Sequence, residues 1–171
     1  MTEVIVIDTG CDDIAGSIAS GIDEFGGSGG DILIRSIHSL REITKKKTDI
    51  IVLSESAAKF YQDVPSAEQS IRISCGILLL PGDVAAGGTN GDIFDAECIV
   101  TYGMSPKNTI TLSSISEESC VLALQRELVT TKGDVLERQE IKIKGRMRPD
   151  CLLAVMGALL ILGQKISDTN Q

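Results

Sequence analysis

Asp8, Asp12 and Asp13 follow directly on the apolar run Val4, Ile5, Val6, Ile7. Carboxylates gathered at the end of a strand can hold a hard divalent cation such as Mg²⁺ or Ca²⁺ through oxygen, and a carboxylate or metal-bound water can then do the acid–base work of a hydrolase or transferase. The same residues can instead open a helix, where negative side chains meet the positive end of the peptide dipoles. Both readings are open on the sequence, and catalytic use of Asp8, Asp12 and Asp13 depends on the first.

A second group comprises Gly82 and Asp83, then Thr89, Asn90 and Asp92 in a glycine-rich stretch. Glycines let a backbone approach a ligand, and the Thr, Asn and Asp side chains can bind sugar hydroxyls or a hydrated cation. This is either the binding loop for a small polar ligand or a plain surface loop. Neither it nor the glycines at 26–30 supply the GxxxxGK[ST] pattern, so no intact ATP-binding motif is present. His38, the one histidine, cannot build a multi-histidine metal site; as a general base it needs an orienting carboxylate, for which Asp31 or Glu42 would serve. There is no GxSxG elbow, and a cysteine nucleophile would have to share that histidine. Arg146 and Arg148 could meet an anionic ligand or simply be exposed beside a helix.

Composition sets the class. Among 171 residues, 16 basic and 24 acidic side chains leave a net charge of −8, which repels nucleic-acid backbones and anionic lipid and makes nucleic acid an unfavourable partner. Three Phe, two Tyr and no Trp leave few platforms for stacking bases. Cysteines at 11, 75, 98, 120 and 151 lack the close pairing of a zinc or dithiol site and read mostly as small buried hydrophobes, with Cys11 the one whose place at a helix start would favour a thiolate. Their odd number and the absence of a basic and apolar leader point to a cytoplasmic setting. The longest apolar stretch, 151–163, is too short to cross about 30 Å of hydrocarbon, so no membrane span is expected.

The elements that must position these residues alternate. Apolar runs at 4–7, 31–35, 50–53, 76–80 and 98–102 read as strands; Ile14, Ile18 and Ile22 share one helix face, Ser39 caps a short helix running into Lys45–Lys47, and 55–61 reads as another helix. Residues 109–112, 120–128 and 135–144 read as further strands, the last two joined as a hairpin through 131–134, with Ile141 and Ile143 inward. Pro149 opens a leucine-rich helix that Gly163 ends. The expected architecture is a single layered α/β domain over 1–165. Its N-terminal half is mostly parallel and Rossmann-like, its C-terminal sheet is mixed or antiparallel, and a C-terminal helix packs on the whole. Subdomains at 1–95 and 96–165 are the alternative, and 166–171 reads as a frayed tail. The apolar ribbon over 120–144 is the expected face for a homodimer or a protein partner.

Two family resemblances follow from these motifs. Asp8-Thr9-Gly10-Cys11-Asp12-Asp13 resembles part of the calcium motif of nucleoside hydrolases, which implies Ca²⁺ held by the aspartates and water attack on an N-glycosidic bond; the family's preceding aspartate falls on Val6. From 76 to 163 the chain resembles the later part of the central domain of the Mur ligases. Residues 77–83 match a strand and acidic turn, Val100-Thr101-Tyr102-Gly103 a strand ending in Tyr-Gly, and Lys144 to Arg148 the turn before an alanine- and leucine-rich helix. That resemblance implies a bacterial source and an ATP-dependent ancestor. The family's His-Asn pair falls on Met147 and Arg148, and a later asparagine on Cys151, so with no P-loop the resemblance implies a module that kept the sheet and lost the ligase chemistry. The expectation is a non-enzymatic α/β domain with an interaction or regulatory role, with the metal-dependent hydrolase or transferase as the alternative.

Overall fold

The computed structural model describes residues 1–10, 13–25, 31–44, 47–63, 71–85 and 93–166. Cys11, Asp12, Lys45, Lys46, Thr89, Asn90, Asp92, the glycines at 26–30 and the tail at 167–171 lie outside the described residues.

Strands β1 (Thr2–Ile7), β2 (Ile32–Ile37), β3 (Lys47–Leu53), β4 (Ile73–Pro81), β5 (Phe94–Tyr102), β6 (Ile110–Ile115), β7 (Ser119–Leu124) and β10 (Gln139–Lys144) form one sheet in the order β10-β7-β6-β5-β4-β3-β1-β2. From β2 to β6 all neighbours are parallel, while β7 runs antiparallel to both β6 and β10. This is the expected α/β class, with a parallel N-terminal half and a mixed C-terminal end.

Continuous apolar strands imply burial on both faces. In β1, Val4 and Val6 join one core with Ile14, Ile18, Leu153 and Leu159, while Ile5 and Ile7 join a second with Ala57, Ala58 and Tyr61. The first core lies under α1 (Ile14–Glu24) and α4 (Pro149–Ile161); the second lies under α2 (Glu55–Gln62) and the one-turn α3 (Gly82–Ala85). Helix α4 is apolar all round because it is enclosed all round, and every residue from Cys151 to Ile161 is buried. Gly21 lowers the helix propensity of α1 but lets α4 approach, since a Cβ there would stand 2.6 Å from Leu159 Cδ1.

The structure departs from the expected elements at three places. Lys47 opens β3, paired with Ser74, and the helix capped by Ser39 is a single 3₁₀ turn (Leu40–Glu42), so Lys47 is not a helix end. Gly82 and Asp83 open a helical turn rather than belonging to a loop. The two long strands expected at 120–128 and 135–144 are each broken. β7 pairs β10 in the main sheet, whereas β8 (Leu128–Val129) pairs β9 (Val135–Leu136) in a separate ribbon. That break brings Thr131 N–H 2.8 Å from the carbonyl of Ile161, where the last turn of α4 needs donors. Ile141 and Ile143 point inward as expected.

A less visible feature crosses the sheet's middle. The pairing of β3, β4 and β5 skips Asp49, Gly76 and Glu97. Below that row Cys75 and Phe94 belong to the core under α2; above it Leu79, Val100 and Tyr102, which alternation would place with them, belong to the core under α4. The register is the same on both sides of the row, so the three strands exchange faces together, each passing one unpaired residue.

Candidate functional site

In an open parallel sheet, ligands bind outside the carboxyl ends of the strands where the order reverses. Here the reversal lies between β1 and β3. From β1 the chain crosses outward to β2 over the face of α1, and from β3 it crosses the other way to β4 over the face of α2. The residues leaving β2, β1 and β3 therefore stand side by side: His38, Asp8, and Ser54 with Ser56.

These four residues are joined. The Ser56 hydroxyl donates to Asp8 Oδ1 at 3.0 Å, and the Gly10 N–H donates to the same oxygen at 3.0 Å. With its hydrogen so used, Ser56 accepts from Ser54, whose Oγ lies 2.9 Å away and itself accepts the Ala57 N–H at the start of α2. The chain of donors runs from the helix end toward the Asp8 carboxylate, which is buried at 3% exposure. His38 Nδ1 lies 2.7 Å from the Asp8 carbonyl oxygen. A carbonyl only accepts, so the neutral ring carries its proton on Nδ1.

Neither carboxylate expected to orient His38 does so. Glu42 Oε1 accepts the backbone N–H groups of His38 and Ser39, closing the capping box of the 3₁₀ turn, and the imidazole is held by the Asp8 backbone instead. Ser54 and Ser56 were not legible as site residues. Their signal was Ser-Glu-Ser directly after an apolar run, which becomes meaningful only once β3 is known to lie beside β1.

Asp13 is the N-cap of α1, accepting the Gly16 N–H at 2.8 Å, so the capping reading of this aspartate holds in the structure. It also lines a cavity of about 210 Å³ between α1 and α4 together with Met147 and Arg148. Arg148 pairs with Asp150, whose carboxyl this guanidinium helps hold below the usual range against the opposing effect of burial. Arg146 lies apart, with Nε donating to the Glu117 carbonyl at 3.0 Å. Asp83 is engaged by its own loop: Oδ2 accepts Met104 N–H at 2.7 Å and Ser105 N–H at 3.3 Å, and Oδ1 accepts the Asn108 amide at 2.8 Å. Gly82 packs tightly against the same Asn108.

A second cavity, of about 260 Å³, opens at the carboxyl ends of β4 and β5 among Glu55, Asp83, Tyr102, Asp150 and Leu153. Burial raises the Tyr102 phenol well above its ordinary value, and the nearby Glu55, Asp150 and Asp8 carboxylates push it further. The carboxyl edge of the sheet is thus negative in character. Among the described residues no group of three or more histidine, cysteine or acidic side chains is placed to hold a metal ion. Cys75, Cys120 and Cys151 are buried as expected, whereas Cys98 is exposed. No helix of the described residues is long and apolar enough to cross a membrane.

Fold and site together define an open, doubly wound α/β domain with a polar hydrogen-bonded cluster at its switch point. No family model matches the chain, and no curated protein or solved structure matches it.

Proposed function

We propose that this chain is a non-enzymatic regulatory α/β domain of the cytoplasm that binds a small polar ligand at the β1/β3 switch point. One observation carries the reading. The residues that follow three adjacent strands, His38, Asp8 and the Ser54–Ser56 pair, are joined by hydrogen bonds at the place where open α/β sheets bind ligands. Descent from a Mur-ligase-like central domain is compatible with this reading. Its support is the succession of β4, the acidic Gly82–Asp83 turn, β5 ending in Tyr102 and Gly103, and the apolar α4 behind Arg148. Self-association through the ribbon that exposes Val129 and Val135 fits an interaction role.

The experiment is a thermal-shift screen of the purified protein against neutral polyols, nucleosides, polyamines and inorganic phosphate, repeated with Ser56→Ala. A saturable upward shift that weakens in the variant supports the reading. If no compound shifts the wild type, or all shift the variant equally, the switch point is not a binding site.

The buried Asp8 carboxylate at the end of β1 favours a second reading, a divalent-metal-dependent hydrolase or transferase using Asp8, Asp12 and Asp13. Calorimetric titration with Mg²⁺, Mn²⁺ and Ca²⁺ separates the two. Stoichiometric micromolar binding that disappears when Asp12 and Asp13 become asparagine would replace the regulatory reading with the metal-dependent one.

A further inference from the structure

The side-chain donors of the switch-point cluster are all spent inside it. Gly10 N–H and Ser56 O–H go to Asp8 Oδ1, Ser54 O–H to Ser56, Ala57 N–H to Ser54, and His38 Nδ1–H to the Asp8 carbonyl. What its side chains have left to offer is acceptor capacity, beside the N–H groups of Glu55 and Ser56 in the first turn of α2, which are free among the described residues. A carboxylate oxygen has more than one lone-pair site, and a neutral imidazole protonated at Nδ1 keeps Nε2 as an acceptor. Among the described residues Nε2 has no hydrogen-bond partner, and the His38 ring is exposed. The residue is held at two points, its backbone N–H by Glu42 and its ring Nδ1 by the Asp8 carbonyl.

We propose that His38 is a ligand-contacting residue of this site, and that its Nε2 and the Asp8 carboxylate accept hydrogen bonds from a neutral polyhydroxylated ligand. The inference rests on the switch-point reading and adds the class of ligand. Phosphates and carboxylates are disfavoured because they approach an edge already carrying Glu55, Asp83 and Asp150. A polyol brings several donors and no charge.

The chain contains one histidine, so ¹⁵N-histidine labelling yields a single imidazole spectrum. In the neutral ring the proton is expected on Nδ1; a proton on Nε2 overturns the proposal. Titration with ribose and inosine is expected to move the Nε2 resonance saturably, whereas spermidine and inorganic phosphate are expected to leave it unmoved. The His38→Asn variant can keep the donor to the Asp8 carbonyl while losing Nε2, since the shorter amide does not reach its position. It is expected to weaken polyol binding at least tenfold with an unchanged melting temperature, and a variant that binds as tightly as the wild type rules out the contact. A compound that raises the melting temperature of the wild type without moving Nε2 overturns the His38 assignment and leaves the binding reading standing. The absence of any binding compound removes both.

Discussion

The hydroxyl of Ser56 and the carboxylate of Asp8, 48 positions apart in the chain, meet at 3.0 Å across the carboxyl ends of β3 and β1. The bond links the loop that follows the first strand to the first turn of α2. Ser56→Ala leaves a buried carboxylate with one donor fewer and the Ser54 hydrogen without its acceptor. Loss of such a bond to a charged group costs about 1–3 kcal/mol. Urea denaturation is expected to show a drop of that order in unfolding free energy with an unchanged m-value. An unchanged midpoint would mean that water replaces the hydroxyl at no cost.

Asp83 is a loop clamp. Its two oxygens hold Met104 N–H, Ser105 N–H and the Asn108 amide, and so shape the connection from β5 to β6. The surroundings are largely exposed and water can answer part of the loss, so Asp83→Ala is expected to cost about 1–2 kcal/mol. Binding of a switch-point ligand should not change. Amide exchange in residues 103–108 is the direct readout, and protection that stays at the wild-type level would contradict the clamp.

Burial, reinforced by Asp95 and Glu97, pushes the Cys75 thiol from its ordinary value of 9.0 up to about 11. The folded chain therefore keeps this proton where the unfolded chain releases it. The contribution to stability is complete below pH 9 and is lost as the pH rises from there to about 11. Two units correspond to about 2–3 kcal/mol. Denaturation midpoints measured under reducing conditions are expected to fall across that window and to fall less in Cys75→Ala. Parallel curves for the two proteins would show that the thiol does not contribute.

The strands of the N-terminal half were legible because runs such as residues 4–7 and 50–53 are apolar at every position, which suits a sheet covered on both faces. That same uniformity hides strand order and facing. Nothing in the local pattern says that β1 lies between β2 and β3, so the meeting of Asp8 with His38 and Ser56 could not be read, although Asp8 itself could. The capping role of Asp13 was legible because it depends only on neighbours three residues away. The break between β7 and β8 was not, because the contact that goes with it is distant: Thr131, in the ribbon outside the main sheet, meets the carbonyl of Ile161 at the end of α4.

Gly76 stands where uniform hydrophobicity conceals the exchange of faces. A Cβ at this position would lie 2.9 Å from the carbonyl oxygen of Asp49, a backbone atom of the neighbouring strand that cannot swing aside. On the other side of Asp49, its carboxylate accepts the backbone N–H of Glu3 at 2.8 Å, so a displaced Asp49 would also disturb β1. Gly76→Ala must therefore separate β3 from β4 at the row that sets which residues face which core. Overpacking of this kind costs about 1–3 kcal/mol, more than the gain in strand propensity from Gly to Ala returns. The expected result is a lower denaturation midpoint with loss of amide protection concentrated at residues 47–51 and 73–78. An alanine variant as stable as the wild type would show that the interrupted row tolerates a side chain, and that the exchange of faces is set elsewhere in the sheet.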